Sequence, residues 1–392
     1  MNRPEEVYGI FNDSFPPVLD GVTLTVENYA KWITAMGKKV AVVTPWNPEK
    51  AVIPEKYDVY RYFSLPIASR KPYRYGYPKL DPFIWHKMRR APFRIVHAHC
   101  PFSSGRLAAY ASKYHKVPLV ATFHSKYRTD LEHSLPEWMV KKIMTRVMNF
   151  FNTADEVWIP QAKVEETVRE YGYKGKLTVV DNGIDLAADS FDEILAIKNR
   201  AKAKLGIDGN EIQLLFVGQH IKEKGVLLII KAIDLLRDLP VKASFIGTGY
   251  AVDEMSELIR HLHLEDRITL HGIIPDRDKL KEHYAAADLF PFPSFYDNAP
   301  LVVREAAMMG TPSLVLAGST TAEVITDSYN GFLCENSPES YAAKIRDLHN
   351  DRKKIIAAGR GAAATLTRPW REVIEEVMMR YNEIIEKYGN RR

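Results

Sequence analysis

In the stretch FPSFYDNAPLVVREAAMMGTP, Asp297 follows an apolar run and Glu305 falls seven intervening residues later, on the first turns of a helix-forming segment. Carboxylates accept hydrogen bonds from sugar and ribose hydroxyls, so one carboxylate on a loop and one on a helix predict a polyol site. The plain alternative is that Asp297 or Asn298 caps the helix. A second cluster, FVGQHIKEKG, ends an apolar run at Gly218 and carries Lys222, Glu223 and Lys224 before Gly225 opens a helix. Two cations at a helix N-terminus oppose its dipole unless an anion sits there. A diphosphate would be such an anion, with Lys224 as its point-charge partner; a solvated loop lysine is the alternative. In VATFHSKYRTD, His124 closes a buried run, where an imidazole can orient a sugar hydroxyl or stabilise charge at an anomeric carbon. A satisfied structural histidine is the other reading. His97 and His99 flank another strand end and read as structural, without the partner spacing of a zinc site. Gly21 in FNDSFPPVLDGVTLTVENYA permits close backbone approach at a helix start, whose amides and dipole favour anions, though ordinary strand–helix turns look the same. The small-residue loop of LAGSTTAEVI is a weak signal alone.

These residues need a scaffold that places loop residues together. Short buried runs alternate with helical spacing: Val7–Phe11, Lys39–Thr44, Arg94–His99, Pro118–His124 and Glu156–Pro160, with helices near residues 23–36, 104–114 and 136–152. The pattern restarts at Ile212–Gly218 and continues through Lys242–Gly247, Arg267–Gly272, Asp288–Pro293, Thr311–Leu316 and Gly331–Cys334. Such alternation predicts parallel, doubly wound sheets. The expectation is two Rossmann-like domains, 1–180 and 181–365, with a linker near Thr178–Asp185 and a terminal helical segment 366–392. In open α/β sheets ligands bind outside the carboxyl ends of the strands. Two such domains facing across a cleft would bring the loops above to one site.

A chain of 392 residues suits two domains, and 46% hydrophobic with 26% charged residues is the composition of a soluble globular protein. No apolar run reaches the roughly 18 residues of a membrane span, and no signal peptide is visible. Cys100 and Cys334 form neither a disulfide framework nor a metal motif, which points to a cytoplasmic protein. The net charge of +5 is mild and no nucleic-acid motif appears, which argues against nucleic acid as a partner.

Together, PPVLDGVTLTVENYA, HAHCPFSSGRLAAYASKYHKVPLVATFH, VVDNGIDL, FVGQHIKEKG, YDNAPLVVREAAMMGTP and ITDSYNGFL resemble, in order and over nearly the whole chain, the family-4 retaining glycosyltransferases of the GT-B type. The resemblance implies a hexose moved from a nucleotide diphosphate sugar, UDP-hexose or GDP-mannose, with no cofactor and no metal. It implies that Gly21 and His124 line the donor sugar, that Gly218, Gln219 and Lys224 meet the diphosphate, and that Asp297 and Asn298 touch the sugar. Ala299, Pro300, Leu301 and Val302 would cradle the phosphates, Glu305 would hold the ribose, and His124, Asp297 and Glu305 would form the catalytic set. It implies front-face attack, with a leaving phosphate oxygen taking the acceptor's proton, and a C-terminal helix that returns to the first domain. Two positions depart from the family pattern. Gln219 stands where arginine is usual, and a neutral amide lacks the guanidinium charge; Lys222 or protonated His220 would have to compensate. Asp297 stands where glutamate is usual.

The stretch Lys56–Arg94 holds ten Lys/Arg against two Asp/Glu, interleaved with aromatics including Tyr60, Tyr62, Phe63, Tyr75, Tyr77, Phe83 and Trp85. It reads as a surface segment. With Trp138, Lys141, Lys142 and Arg146 it predicts contact with an anionic membrane, against the alternative of a solvated basic face. FHSKYRTDL resembles a segment of the family's lipid glycosyltransferases, so a membrane lipid or envelope glycan is the expected acceptor, reached from the inner face of the membrane. Two other readings stay open: a non-catalytic nucleotide-sugar-binding protein, motivated by Gln219 and Asp297, and an epimerase of the same fold, against which the Asp297–Glu305 spacing argues.

Overall fold

The computed structural model of the chain describes residues 6–18, 20–49, 57–68, 72–132, 135–186, 188, 190–295 and 297–390. The chain separates into two compact units, Met1–Gly183 with Trp370–Arg392, and Ile184–Pro369.

The first unit is built on strands β1 (Val7–Phe11), β2 (Lys39–Pro45) and β3 (Asp58–Tyr62), a short antiparallel pair β4 (Ser64–Pro66) and β5 (Arg74–Gly76), then β6 (Phe93–Ala98), β7 (Leu119–Thr122), β8 (Glu156–Ile159) and β9 (Leu177–Val179). Its sheet runs β3-β2-β1-β6-β7-β8-β9, parallel throughout. All five residues of β1 are buried, as expected of a central parallel strand covered on both faces. Helices α1 (Gly21–Ala35), α2 (Pro82–Arg90), α3 (Ser103–His115), α4 (Tyr127–Glu132), α5 (Glu137–Phe151) and α6 (Val164–Glu170) accompany it. The order reverses between β1 and β6, the position where open α/β sheets bind ligands.

Two expectations change here. Part of the basic, aromatic segment is not surface: β3 is an edge strand paired with β2. Tyr62 on it is fully buried, bonded to Ser103 Oγ at 2.9 Å and donating to Asp13 Oδ1 at 3.2 Å. Phe63, Tyr75, Tyr77, Leu80 and Phe83 are exposed; Lys56, Arg70 and Lys71 lie outside the described residues. Thr178 and Val179 are strand rather than linker, because Leu177–Val179 pairs in register with Val157–Ile159.

The second unit comprises α7 (Phe191–Lys204), β10 (Ile212–Val217), α8 (Val226–Asp234), β11 (Val241–Ile246), α9 (Val252–His261), β12 (Ile268–Gly272), α10 (Arg277–Ala286), β13 (Phe290–Phe292), α11 (Leu301–Met308), β14 (Ser313–Leu316), β15 (Gly331–Cys334), α12 (Pro338–Asn350) and α13 (Arg352–Thr365). Two parallel ladders, β10-β11-β12 and β13-β14-β15, join through a bridge between Leu214 and Leu289, where Leu215 N–H donates to Leu289 O at 3.0 Å. The continuous order is β12-β11-β10-β13-β14-β15, the doubly wound arrangement whose reversal lies between β10 and β13.

Helix α14 (Trp370–Asn390) belongs to the first unit. Its buried residues Trp370, Val373, Ile374, Val377, Tyr381 and Ile384 recur at helical spacing and form one apolar stripe. They share a core with Tyr8, Ile10, Tyr29, Ile33 and Trp158; Tyr381 stacks on Trp158 with ring centroids 5.6 Å apart. A Cβ on Gly183 would lie 2.6 Å from Trp370 Cδ2, so the backbone there runs directly over the indole.

Candidate functional site

In the second unit the loops after β10 and β13 emerge side by side at the reversal of strand order. The first runs from Gly218 into a single 3₁₀ turn, Lys222–Lys224, which ends at Gly225 with φ 68°. Glycine is needed there: the conformation is left-handed, and a Cβ would lie 2.5 Å from Pro293 O in the second loop. This close approach brings the buried Lys224 to Asp297, with Nζ 3.0 Å from Oδ1. The other carboxylate oxygen accepts from Ser294 Oγ at 2.8 Å. An ideal Cβ on Gly218 would stand 3.7 Å from Lys224 Nζ, so Gly218, Lys224 and Asp297 form one group. Neither Asp297 nor Asn298 caps α11; Pro300 holds the cap position and offers no side-chain acceptor. Asn298 and Leu301 are buried, and Ala299, Pro300 and Val302 are partly exposed.

Glu305 sits on α11 and is only 4% exposed. Its Oε1 accepts from Arg277 Nη2 at 2.5 Å and its Oε2 from Tyr284 Oη at 2.8 Å. Burial, reinforced by this carboxylate, raises the Tyr284 phenol well above its ordinary pKa. Burial works against the Arg277 cation, but the charge and hydrogen bond of Glu305 outweigh it and raise the guanidinium pKa. Behind Tyr284, Thr311 Oγ1 bonds the Tyr284 carbonyl at 2.9 Å and receives Lys198 Nζ at 2.9 Å. Lys198 also donates to Ala287 O at 2.7 Å, and burial lowers its pKa to about 7. The sequence reading missed Arg277, Tyr284, Thr311 and Lys198. Each stands on a different element from Glu305, and no short spacing signals such contacts.

The two cations read at this helix start both have protein anions: Lys224 pairs with Asp297, and Lys222 with Glu254 at 2.7 Å. Gln219 is exposed. His220 cannot supply the charge of the usual arginine at neutral pH. It is 1% exposed, neither ring nitrogen has a hydrogen-bond partner, and burial lowers its pKa to about 4.

In the first unit Gly21 is the first residue of α1, capped by Asp20, whose carboxylate accepts the Thr23 amide at 2.7 Å. Ser14 Oγ bonds Asp20 at 3.2 Å and Thr23 at 2.9 Å. His124 lies just past β7, partly exposed; its Nε2 is 2.9 Å from His99 Nδ1 and the two rings are nearly parallel. Burial lowers the His124 pKa to about 3, so it is neutral at physiological pH. His97 bonds Tyr381 Oη at 2.6 Å and Thr122 Oγ1 at 2.7 Å, and burial holds His97 and His99 neutral as well. Asp13, which the sequence reading did not single out, accepts from Ser104 N–H at 2.9 Å, from Tyr62 and from Ser103 Oγ. Among the described residues no group of three His, Cys, Asp or Glu side chains is arranged to hold a metal.

Known proteins match this architecture on both sides. The family model for Glycosyltransferase Family 4 matches residues 19–188, and that for Glycosyl transferases group 1 matches residues 197–362. The chain is 30% identical over 298 residues to a D-inositol 3-phosphate glycosyltransferase of Kineococcus radiotolerans, covering 69% of this chain and 67% of that protein. It is 24% identical over 331 residues to an alpha-monoglucosyldiacylglycerol synthase of Streptococcus pneumoniae, covering 83% of this chain and 74% of that one. Anabaena HepE, solved in complex with UDP and glucose, has the same fold, with a TM-score of 0.75 at 18% identity over 97% of this chain and 100% of its own. With two doubly wound units, a family model on each half and a relative matched at this identity, the chain belongs to the GT-B-fold glycosyltransferases, family 4 in its first half and group 1 in its second.

Proposed function

We propose that this chain is a retaining hexosyltransferase that takes a hexose from a nucleoside diphosphate sugar, a UDP-hexose before GDP-mannose, and delivers it to a membrane lipid or an envelope glycan. The carrying observation is the Lys224–Asp297 pair at the strand-order reversal, beside a Glu305 held by two donors. A diphosphate exchanges for Asp297 as the partner of Lys224, and Asp297 turns to the sugar's hydroxyls. Glu305, fixed by Arg277 and Tyr284, accepts from the ribose. His124 and Gly21 serve the sugar from the first unit. The bond from the anomeric carbon to the phosphate oxygen breaks, the acceptor oxygen bonds to the same face of that carbon, and the departing phosphate oxygen takes the acceptor's proton. The names of the relatives support this choice: one makes a glucosylated diacylglycerol, and the solved Anabaena protein holds UDP and glucose.

Thermal-shift measurement against UDP, GDP and ADP tests the reading without an acceptor, because a ligand stabilises the state it binds. Selective stabilisation by UDP supports it. A rise with GDP alone moves the donor to GDP-mannose, and no rise at millimolar nucleotide refutes the assigned site.

The acceptor proposal extends to an anionic membrane surface on the inner side of the membrane. Phe83 and Trp138 are 79% and 67% exposed, and the exposed cations Lys79, Lys87, Arg89, Arg90, Lys141 and Lys142 lie near them in sequence. Basic residues gain about 1 kcal/mol each near an anionic leaflet. Among the described residues no helix is long and apolar enough to cross a membrane. Co-sedimentation with phosphatidylglycerol vesicles at low salt, lost in a Phe83→Ser/Trp138→Ser variant, is the expected result. Absence of binding by the unaltered protein sinks this part.

A further inference from the structure

His99 and His124 are joined by one imidazole–imidazole hydrogen bond, and its direction follows from what surrounds it. His99 Nδ1 lies 2.9 Å from His124 Nε2, while His99 Nε2 is buried and has no hydrogen-bond partner. A neutral imidazole carries one proton, and its position is set by the bond the other nitrogen makes. A proton on His99 Nε2 would be a buried, unmatched N–H, which folded proteins tolerate less readily than an unmatched acceptor. In that arrangement the bond would survive only reversed, with His124 Nε2–H donating to His99 Nδ1, and the N–H at His99 Nε2 would stay unmatched. The proton therefore sits on His99 Nδ1 and is donated to His124 Nε2.

The ring of His99 has little freedom to choose otherwise. It lies against His97 with ring centroids 4.1 Å apart, and Tyr29 meets it edge-on at 5.0 Å. Its backbone N–H is fixed to Phe11 O at 2.8 Å. His97 is anchored in turn by Tyr381 of α14 and by Thr122 of β7.

We propose that His99 is a positioning residue for His124: by donating Nδ1–H to His124 Nε2 it fixes His124 as the tautomer that carries its own proton on Nδ1. His124 then meets a sugar oxygen as an N–H donor and does not serve as a base through Nε2. This consequence rests on the reading of His124 as a sugar-site residue; the tautomer assignment does not.

The two are separated by experiment. Long-range ¹⁵N–¹H correlation spectra of the ¹⁵N-histidine-labelled protein, assigned with a His124→Gln variant, report which ring nitrogen is protonated. The expected spectrum shows His124 protonated on Nδ1, whereas protonation on Nε2 overturns the proposal on the unaltered protein alone. His99→Asn keeps an N–H near the Nδ1 position and is expected to preserve the His124 signature and kcat. His99→Phe is expected to move the proton to Nε2 and to lower kcat about tenfold or more with little change in the donor KM, as for other imidazoles held in the wrong tautomer. An unchanged His124 signature in His99→Phe also overturns the proposal. Wild-type activity in His124→Gln, with the expected tautomer pattern intact, rejects the sugar-site reading and leaves the positioning role standing.

Discussion

Lys224 and Asp297, 73 residues apart in sequence, form a largely desolvated ion pair, with side-chain exposures of 11% and 16%. Each side chain neutralises the other's charge in a mostly buried setting. Breaking such a pair on one side leaves an uncompensated charge, whereas removing both charges is tolerated better.

Lys224→Ala is expected to lower kcat/KM by about 100-fold, the scale of a lost charge-stabilising contact. It is also expected to reduce thermal stability. The Lys224→Ala/Asp297→Ala double variant recovers part of the stability but none of the activity. Losses of stability that simply add in a double-mutant cycle contradict this pairing.

Tyr284→Phe removes the phenol that donates to Glu305 Oε2 and changes nothing else in size. The unsatisfied carboxylate oxygen costs about 1–3 kcal/mol, read as a drop in the chemical-denaturation midpoint. Stabilisation by nucleotide is expected to shrink in the same variant, and Glu305→Ala is expected to abolish most activity while leaving the fold intact. Nucleotide shifts equal to wild type in both would separate Glu305 from the ribose.

His220 titrates near 6.5 in an unfolded chain and near 4 in the native one. Between those values the unfolded state binds more protons, so acid favours unfolding as pH falls from about 6.5 towards 4. The ring stands among Phe216, at 6.0 Å, and Phe245, at 6.1 Å. His220→Phe is therefore expected to keep or raise the unfolding midpoint at pH 7 and to flatten its decline between pH 6.5 and 4.5. A decline as steep as wild type places the acid sensitivity elsewhere, with His97, His99, His124, His271 and His283 as the other imidazoles whose pKa burial lowers.

Trp370→Ala opens a cavity under Gly183 and Tyr29. A loss of about 3–5 kcal/mol is expected for a buried tryptophan. By calorimetry the transition of the first unit moves down in temperature, and that of the Ile184–Pro369 unit stays in place. Equal displacement of both transitions contradicts the assignment of α14 to the first unit alone.

The strands were the legible part of the fold. Val7–Phe11 and Gly331–Cys334 have the same limits in sequence and structure, because each is a short apolar run that ends where turn residues begin; β1 is buried throughout, and the edge strand β15 in all but Leu333. β3 was not legible: DVYRY carries three partly exposed residues and one buried tyrosine, as an edge strand does, and its composition matches a surface segment. At the site, Lys224 and Asp297 were visible as loop charges after strands, but their mutual pairing was not, since it depends on Pro293 passing over Gly225. Arg277 and Tyr284 were invisible for a similar reason. Arg277 opens α10 and Tyr284 sits on its inner face, and only the packing of that helix beside α11 turns both toward Glu305. His220 reads as a polar loop residue; only the structure reveals that its ring is enclosed among phenylalanines.

The chain threads its architecture as a nested insertion: Ile184–Pro369 forms one unit between the two stretches that make the other. During synthesis β1 to β9 leave the ribosome with one face of their sheet lacking Trp370, Val377 and Tyr381, and the buried His97 lacking the Tyr381 hydroxyl. The inserted unit has all its strands and helices by Pro369 and can close first, although it is second in reading order. A chain truncated before α14 would therefore hold a finished Ile184–Pro369 unit and an open first unit with apolar surface uncovered. Emergence of α14, rather than production of the first strands, becomes the event that completes the unit carrying His124.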